Sequence, residues 1–476
     1  MTAQTILPAN SVTGGFEVAN SCRFNSGSTD SLDRTPSSSG SGTTFTMSMW
    51  LKRSGLGGTH LIYKAKGSAQ TEFTLAFNSD KLQVYQVNSS GAQDAAIKTL
   101  SVQRDISAWY HACIQIQTAD GTATDRCKIY INGVQQTIDS SGTDAYGSSF
   151  NTGVNQASVK QEIGGAASPY GGYMAEFVMI DGSILAPTSF AEADEDSGIW
   201  KPKSVSGLTF GTNGFYLDFE DSSALGNDAA GSNNFTARNL TAIDQSTDTC
   251  TNNFCVINSL DNSYAGSTLS EGNLKVLTIS GNAAYNPATF GLTKGKWYWE
   301  VKLVTCSAGD NSEATIIGIS NQSPVNAGYT GSIVVNDGLG IRGDGNAWGS
   351  DGSAGGGAST SGWDAIAVGN TAMIAVDFDN GKLYHGINGT WGNSGDPTSG
   401  STGTGAYAFT VGTDAWFPGV NQRETSQTAT FELNFGSPPF AISSGNTDGD
   451  GYGNFEYAVP SGYLALCTKN LSEVLS

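Results

Sequence analysis

The chain is 476 residues long, more than one hydrophobic core usually supports, so its length predicts two domains. Forty-three Asp and Glu against 23 Lys and Arg give a formal net charge of -20, and this excess of acid disfavours nucleic acid and acidic lipid as partners. Glycine occurs 62 times and charged residues make up only 14%, a composition typical of strands joined by many turns.

The start of the chain has no basic stretch followed by an apolar run, so we expect no export signal. No later stretch approaches the length of a membrane span, so we expect no membrane insertion. The 7 cysteines are odd in number and lack paired C-x-x-C spacing, which favours reduced thiols over a disulfide framework or a zinc site. These features predict a protein made in a cytoplasm.

Residues 20–187 show the alternation of apolar and polar side chains that is typical of β-strands. The apolar residues that share a face are Phe45, Met47, Met49 and Leu51; Phe73, Leu75 and Phe77; Tyr110, Ala112, Ile114 and Ile116; and Cys127, Ile129 and Ile131. The opposite face of the first strand carries Thr46, Ser48 and Trp50, so we expect a half-buried strand there. Turn formers such as Asn132-Gly133 separate the segments and predict antiparallel hairpins.

The order of several short motifs in this half resembles the concanavalin A-like or laminin-G jelly-roll family. The motifs are Leu32-Asp33-Arg34-Thr35-Pro36-Ser37, Met49-Trp50-Leu51-Lys52-Arg53-Ser54, Ala108-Trp109-Tyr110-His111, Lys128-Ile129-Tyr130-Ile131-Asn132-Gly133 and Gly172-Tyr173-Met174-Ala175-Glu176-Phe177. The resemblance implies a sandwich of two sheets whose rim loops bind glycans or proteins, often with calcium. No ligand set carries over to particular residues, and His111, inside a strand motif, is expected to be structural.

Residues 188–258 are predicted to form an ordered connector. Thr188 or Ser189 can cap a helical turn over Phe190–Asp194, and the following run is rich in Gly, Asn and Asp. The run that begins with Gly198-Ile199-Trp200-Lys201-Pro202-Lys203 and continues through Phe210–Phe219 to Asp248–Cys255 resembles a junction that recurs in structural proteins of tailed bacteriophages. That resemblance implies a virion protein in which a jelly roll is followed by a second module.

Residues 259–476 contain a second set of strand patterns. Trp297, Trp299, Val301 and Leu303 alternate with Tyr298, Glu300 and Lys302. The Trp297-Tyr298-Trp299-Glu300-Val301 strand, followed far downstream by a hairpin at Asp377–Gly381, resembles the SPRY family of β-sandwiches. That resemblance implies a binding scaffold without catalysis.

Two tryptophans in this half, Trp348 and Trp391, flank Gly/Ser-rich loops and are the candidate ligand-binding residues, since each could stack on a sugar or a peptide. The alternative is that both are core aromatics. The run Asp448–Gly453 is a weak match to a calcium loop, because it lacks further acidic ligands, and a turn is the preferred interpretation. We therefore expect no cofactor, with calcium as the alternative, no metal site and no catalytic residues.

The fold expected for the whole chain is all-β, with two antiparallel β-sandwich (jelly-roll) domains, at 20–187 and 259–476, joined by the connector. The expected function is a non-enzymatic surface or appendage protein of a tailed phage, of the tail-fibre or receptor-binding type. Its lectin-like modules would recognise a glycan or protein receptor on the host surface. A capsid decoration or head-fibre protein is one alternative.

A polysaccharide depolymerase is the other alternative, and it would need two carboxylates placed across a groove. Glu192, Asp194, Glu195 and Asp196 are close in sequence, but a helical turn there explains them as acids near a helix start. We also expect a homo-oligomer, a trimer, within the virion and in contact with other virion proteins. Residues 1–19 are the predicted attachment segment. Its apolar residues are Ile6, Leu7, Val12, Phe16 and Val18.

Overall fold

Antiparallel β-strands make up most of the regular structure in the computed structural model. The residues that it describes are 15–67, 71–140, 145–165, 168–261, 266–278, 284–312, 314–321, 338–349, 360–422, 424 and 426–475. The chain divides into two units, Ala9–Asn253 and Phe254–Ser476, and each is built on two main sheets around its own apolar core. The predicted all-β fold of antiparallel sandwiches is confirmed.

The first unit contains strands β1 to β17. They are β1 (Ser21–Phe24), β2 (Ser31–Arg34), β3 (Thr44–Arg53), β4 (Thr59–Lys66), β5 (Glu72–Asn78), β6 (Lys81–Val87), β7 (Gln93–Lys98), β8 (Trp109–Gln117), β9 (Cys127–Ile131), β10 (Val134–Gln135), β11 (Lys160–Ile163), β12 (Gly172–Asp181), β13 (Ala191–Ala193), β14 (Trp200–Pro202), β15 (Phe215–Leu217), β16 (Thr236–Arg238) and β17 (Gln245–Ser246). Short 3-10 helices lie at Ala123–Asp125, Pro187–Ser189 and Ala242–Asp244.

One sheet of this unit has the order β10-β9-β8-β3-β12-β1-β17, with β15 beside β12, and the facing sheet has the order β16-β2-β11-β4-β5-β6-β7. The core between them contains the apolar sets that the sequence pattern placed on one face, including Phe45, Phe73 and Ile114. Alternation predicted these strands correctly because each turns one face to this core.

The outer face of β3 differs from the prediction. Thr46, Ser48 and Trp50 were expected on a half-exposed face, but all three are buried. Trp50 belongs to an outer cluster with Val18, Trp109, Tyr173, Ala175, Ala191 and Cys250, and Phe16 and Trp200 pack against it. Ser48 contacts His111, and Thr46 hydrogen-bonds with the backbone of Ser183 and Leu185. Strand β3 is therefore buried on both faces, because residues from both ends of the unit lie over its sheet.

The segment predicted as a connector, 188–258, also differs from its description. Its strands β15, β16 and β17 pair with β12, β2 and β1, so residues up to Asn253 belong to the first unit. The predicted helical turn over Phe190–Asp194 is wrong. Residues Ala191–Ala193 instead form β13, which pairs with β14, and only Pro187–Ser189 is helical. Pairing with the nearby strand β14 overrode the local helical signal.

The second unit contains strands β18 to β32 and one α-helix. They are β18 (Thr268–Ser270), β19 (Lys275–Leu277), β20 (Ala284–Pro287), β21 (Lys296–Cys306), β22 (Thr315–Ser320), β23 (Gly338–Arg342), β24 (Asn346–Gly349), β25 (Thr360–Ser361), β26 (Thr371–Asp377), β27 (Lys382–Ile387), β28 (Thr390–Trp391), β29 (Tyr407–Ala408), β30 (Phe417–Gln422), β31 (Ala429–Asn434), β32 (Leu464–Ala465) and α1 (Thr468–Leu475). Short 3-10 helices lie at Gly392–Ser394 and Pro397–Thr402.

One sheet of the second unit has the order β18-β19-β31-β21-β26-β27-β28, and the other has the order β20-β30-β22-β23-β24-β25. Strands β29 and β32 extend the first sheet beside β27 and β21, and β32 runs parallel to β21. Trp297 and Trp299 are buried in the core between the sheets, whereas Tyr298 belongs to a second cluster on the other face of β21. The predicted alternation along this strand and the hairpin between β26 and β27 are both confirmed.

Residues 1–14 of the predicted attachment segment lie outside the described residues, so Ile6, Leu7 and Val12 have no structural description. Val18 is buried in the outer cluster of the first unit, and Phe16 packs against that cluster. All seven cysteines lie within the described residues as thiols, in agreement with the cysteine spacing, and all but Cys306 are buried. In the described part of the chain, no helix is long and apolar enough to span a membrane.

Candidate binding groove

An open groove of about 480 Å³ lies on the first unit, beside the adjacent strands β2, β11 and β16. We call it the basic groove, and it is lined by Asp33, Arg34, Thr35, Pro36, Ser37, Lys160, Ser232, Asn233, Asn234, Thr236 and Arg238. The lining is dominated by hydroxyl, amide and charged groups, which are the groups that hydrogen-bond sugars and carboxylates.

Strand pairing places Asp33 at the centre of the basic groove. It lies on β2 opposite Glu162 of β11 on one side and Thr236 of β16 on the other. Asp33 Oδ2 contacts Lys160 Nζ at 3.1 Å and also contacts the Arg238 guanidinium. The Asp33 side chain is only 6% exposed, and its other oxygen, Oδ1, accepts no hydrogen bond. A buried carboxylate oxygen without a donor is costly, and a ligand hydroxyl could satisfy it.

The neighbouring Arg34 is held in a fixed position. Its guanidinium donates to the Asn213 carbonyl at 3.0 Å and to Asn213 Oδ1 at 2.9 Å, and also to Asn233 Oδ1. The guanidinium carbon lies 6.0 Å from the centre of the Phe235 ring. Burial lowers the pKa of Arg34 from its ordinary value, partly offset by nearby acidic groups. Arg34 and Asn233 thus form the rigid side of the basic groove.

Lys160 and Arg238 form the adaptable side of the basic groove. Their side chains are 45% and 61% exposed, so both can turn toward a ligand. Burial opposes the charge on Lys160, but hydrogen bonds with Glu162 and Asp33 outweigh it and raise its pKa. Three cationic side chains therefore face one carboxylate in the lining, so the basic groove is locally positive on a chain whose net charge is -20.

The number of carboxylates in the basic groove bears on the depolymerase alternative. Among the described residues that line it, Asp33 is the one carboxylate, whereas glycoside hydrolysis usually requires a pair. The acids considered for catalysis lie elsewhere: Asp194 Oδ1 accepts from the Ser197 backbone at 2.9 Å, and its Oδ2 pairs with Lys201 at 3.0 Å. Hydrogen bonds from Ser197 and Lys201 lower the pKa of Asp194. The contacts of Asp194 and its lowered pKa both agree with a structural role in a turn.

A buried serine and histidine on the outer face have the spacing of a nucleophile and its base. Ser48 Oγ lies 2.8 Å from His111 Nε2, and Trp200 Nε1 donates to His111 Nδ1 at 3.0 Å. Because an indole can only donate, Nδ1 is the acceptor and Nε2 carries the proton of the neutral ring. His111 therefore cannot take a proton from Ser48 at Nε2. Burial also lowers the pKa of His111 to about 3, in agreement with a structural role.

The two predicted ligand-binding tryptophans lie in the second unit. Trp348 pairs with Gly340 across β23 and β24, but its side chain lies outside the described part of the structure. Trp391 on β28 is partly buried, and its ring meets that of Tyr298 edge-on at 6.5 Å. Their ligand-binding role stays a prediction.

Asp448, the first acid of the weak calcium match, has both carboxylate oxygens engaged by the protein. Oδ1 accepts from the backbone of Asp450 at 3.0 Å and of Tyr452 at 2.8 Å. Oδ2 accepts from the backbone of Ala465 at 2.9 Å and from Asn470 Nδ2 at 2.8 Å. The contacts with the backbone of Asp450 and Tyr452 are those of a turn. Within the described ranges, no three His, Cys, Asp or Glu side chains are grouped so as to hold a metal ion.

Sequence reasoning missed Lys160, Asn233 and Arg238. It noted the Asp33-Arg34 pair only as part of a scaffold motif, and an acid beside a base carries no signal of a binding site. The lining comes from three chain segments that meet only through the β2–β11 and β2–β16 pairings. Alternation predicts that a strand exists, but it does not predict which strands become neighbours.

Comparisons with known proteins agree with the fold of the first unit. Residues 26–186, about a third of the chain, match the family model described as the concanavalin A-like lectin/glucanases superfamily. This range contains Asp33, Arg34 and Lys160 of the basic groove but not Asn233 or Arg238. No curated protein matches the sequence.

Three solved structures illustrate what the chain is similar to. The SPRY domain of human HERC1 is 16% identical over 37% of this chain and 96% of that chain, with a TM-score of 0.29. A putative carbohydrate binding protein from Bacteroides ovatus is 15% identical over 48% and 60%, with a TM-score of 0.32. Domains LG4-5 of the mouse laminin alpha1 chain are 12% identical over 89% and 92%, with a TM-score of 0.29. The family match and the observed sheets together show a concanavalin A-like sandwich in the first unit.

Proposed function

We propose that this protein is a non-enzymatic surface protein of a tailed-phage particle, of the tail-fibre or receptor-binding type, and that its first unit binds an anionic glycan of the host surface. The observation that carries the binding role is the basic groove: a locally positive, polar surface on a concanavalin A-like sandwich within a strongly acidic chain. The assignment to a phage particle is supported by the resemblance of the run from Gly198 to Cys255 to the phage junction.

The charge of the basic groove selects the class of glycan. Lys160 and Arg238 can each form a charge-assisted hydrogen bond with a carboxylate or phosphate group of a sugar. Asp33 Oδ1, which accepts no hydrogen bond from the protein, remains for a sugar hydroxyl. A neutral glycan would leave the cations without a new partner, so the basic groove favours an acidic polysaccharide over a neutral one.

The test measures binding of the purified full-length protein to an immobilised uronic-acid polymer and to a neutral glucan. We expect binding to the acidic polymer that weakens with salt and is at least about tenfold weaker in a Lys160→Gln/Arg238→Gln double variant, on the order of 1.4 kcal/mol. Lys203→Gln is the matched control, because its side chain is similarly exposed at 49% and lies outside the basic groove. Equal affinity of all variants would contradict the assignment of the site.

Two further measurements separate the proposal from its alternatives. The same incubation, followed by sizing of the polysaccharide, detects a depolymerase, and shortening of the polymer would show that the protein is an enzyme. Reconstruction of virions carrying the protein would locate it, since a position on the capsid would identify a head decoration or head fibre instead of a tail appendage.

A further inference from the structure

Lys52 of β3 reaches a buried polar cluster at the outer face of the first unit. Its Nζ lies 2.6 Å from Asp248 Oδ2 and 2.6 Å from Asn253 Oδ1. These contacts join a central strand of the sandwich to the last residue of the unit. A carboxylate and a carboxamide thus both lie within hydrogen-bonding distance of one amine.

The cluster is shielded from water. The side chains of Lys52 and Asp248 are each 1% exposed, and Asn253 is buried as well. Trp109 Nε1 donates to Asp248 Oδ1 at 3.1 Å, and Lys52 Nζ lies 5.5 Å from the centre of the Tyr173 ring. Exclusion of water protects a reactive amine and its acyl partner from competing hydrolysis.

The hydrogen bond also holds the amine close to the carbon that it would attack. Asn253 Oδ1 accepts from Lys52 Nζ, and the carbonyl carbon is one bond away from that oxygen. Asn253 Nδ2 donates to the Ser107 carbonyl at 2.6 Å, which fixes the orientation of the carboxamide. Holding two reacting groups in a fixed contact replaces a bimolecular encounter and removes much of the entropic barrier.

We propose that Lys52 and Asn253 condense into an intramolecular amide bond, with Asp248 transferring the protons. Asp248 takes a proton from the Lys52 ammonium, and the neutral Nζ attacks the Asn253 side-chain carbonyl carbon. The Nζ–C bond forms, the C–Nδ2 bond breaks, and Asp248 returns protons to the leaving nitrogen. Of the three ammonium protons, one stays on the new amide and two leave with Nδ2 as ammonium. Asp248 ends as a carboxylate, and no oxidant or cofactor takes part.

The bond would change how the first unit bears load. It links residues 201 positions apart in the chain. Asn253 directly precedes Phe254, where the second unit begins. A pulling force from the second unit would then be transmitted to β3, a central strand of its sheet. It would not first separate the edge strands β17 and β16 from their own sheets. The chemistry does not depend on the proposed phage role.

Intact-mass spectrometry of the denatured, reduced full-length protein is the decisive measurement. We expect a mass that is lower than the sequence mass by one ammonia. Peptide mapping should find the segments containing Lys52 and Asn253 in one cross-linked species. A wild-type protein of full sequence mass would overturn the proposal, as would an ammonia loss that maps to another asparagine.

Variants test the role of each group. Lys52→Arg, Asn253→Ala and Asp248→Asn should each show the full mass expected for their sequence, without a cross-linked peptide. Asp194→Asn is the matched control, because it alters a partly buried lysine–aspartate pair outside this cluster, and it should retain the ammonia loss. If Asn253→Ala still lacked one ammonia, the assignment would be wrong. The wild-type mass decides the matter even if a variant fails to fold.

Discussion

Glu176 combines burial, an acidic side chain and an unusual backbone conformation. Its φ of 51° lies in the left-handed region, at the irregularity where β12 shifts register against β3 between Ala175 and Val178. Burial raises the pKa of Glu176 to about 8. The hydrogen bond from Tyr216 opposes that rise, and the nearby charges of Asp218 and Glu220 add to it. A bulge holding a carboxyl with a shifted pKa is a feature often found at functional sites.

Glu176 should make the first unit less stable as the pH rises. Its folded-state pKa lies above the ordinary value of 4.5, so between about 4.5 and about 8 the folded protein binds more protons than the unfolded chain. The free energy of unfolding therefore falls as the pH rises through that window. We expect Glu176→Gln to be more stable than wild type at pH 8, on the order of a few kcal/mol, and equal to it near pH 4.

Thermal unfolding across this pH range is the measurement for Glu176. Glu195→Gln serves as the control because its carboxylate is exposed, and it should leave the pH dependence unchanged. A constant difference between Glu176→Gln and wild type at every pH would assign the effect to packing rather than to ionisation.

At the scale of single elements, the hairpin between β9 and β10 turns through Asn132 and Gly133. Their φ values are 47° and 78°, as in a type I′ turn, the turn that the Asn-Gly pair predicts. A Cβ added to Gly133 would lie 2.7 Å from the Trp200 ring. This hairpin therefore packs against Trp200, and the Trp200 indole N–H donates a hydrogen bond to His111.

Gly133→Ala should destabilise the first unit by about 1–3 kcal/mol, because a β-carbon meets both the positive φ and the Trp200 ring. Gly121→Ala is the matched control: Gly121 has an ordinary φ, and a Cβ added there would meet nothing within 4 Å. The control should stay within about 0.5 kcal/mol of wild type in denaturant unfolding. If Gly133→Ala is as stable as this control, the Trp200 ring can move away from the added β-carbon without a loss of stability.

The elements also show how far the sequence predicts the structure. Alternation located β3, β5, β8, β9 and β21 because each strand turns one face to a core. It failed for the outer face of β3, since Ser48 is polar yet is buried against His111. The helix-cap signal failed for Ala191–Ala193, because these residues pair with the nearby strand β14. Alternation could not predict the basic groove, because the groove depends on pairing between segments far apart in sequence.

At the scale of the whole molecule, the expected trimer and attachment segment remain predictions. The Val18 backbone N–H donates to Thr251 Oγ1 at 3.1 Å, so deleting all of residues 1–19 would remove part of the first unit. A deletion of residues 1–14 is the sharper test. We expect it to leave the unfolding temperature unchanged and to remove the protein from particles. Normal incorporation of the shortened chain would contradict the attachment role.

The expected oligomer can be measured separately in solution. Fibre-like appendages present binding modules in several copies, and linked copies gain avidity without stronger single contacts. We therefore expect sedimentation equilibrium of the full-length protein to give three chain masses. A monomer both in solution and in the virion would contradict this prediction.

The two units have separate cores, which predicts two thermal transitions for the full-length chain. Ile114 lies in the core of the first unit and Ile374 in that of the second, and both are fully buried. Replacing either with valine removes one methylene and costs about 0.5–1.5 kcal/mol without introducing a polar group. In calorimetry, Ile114→Val should lower one transition by a few degrees and Ile374→Val the other. A single transition that both variants lower equally would show that the units unfold as one cooperative block.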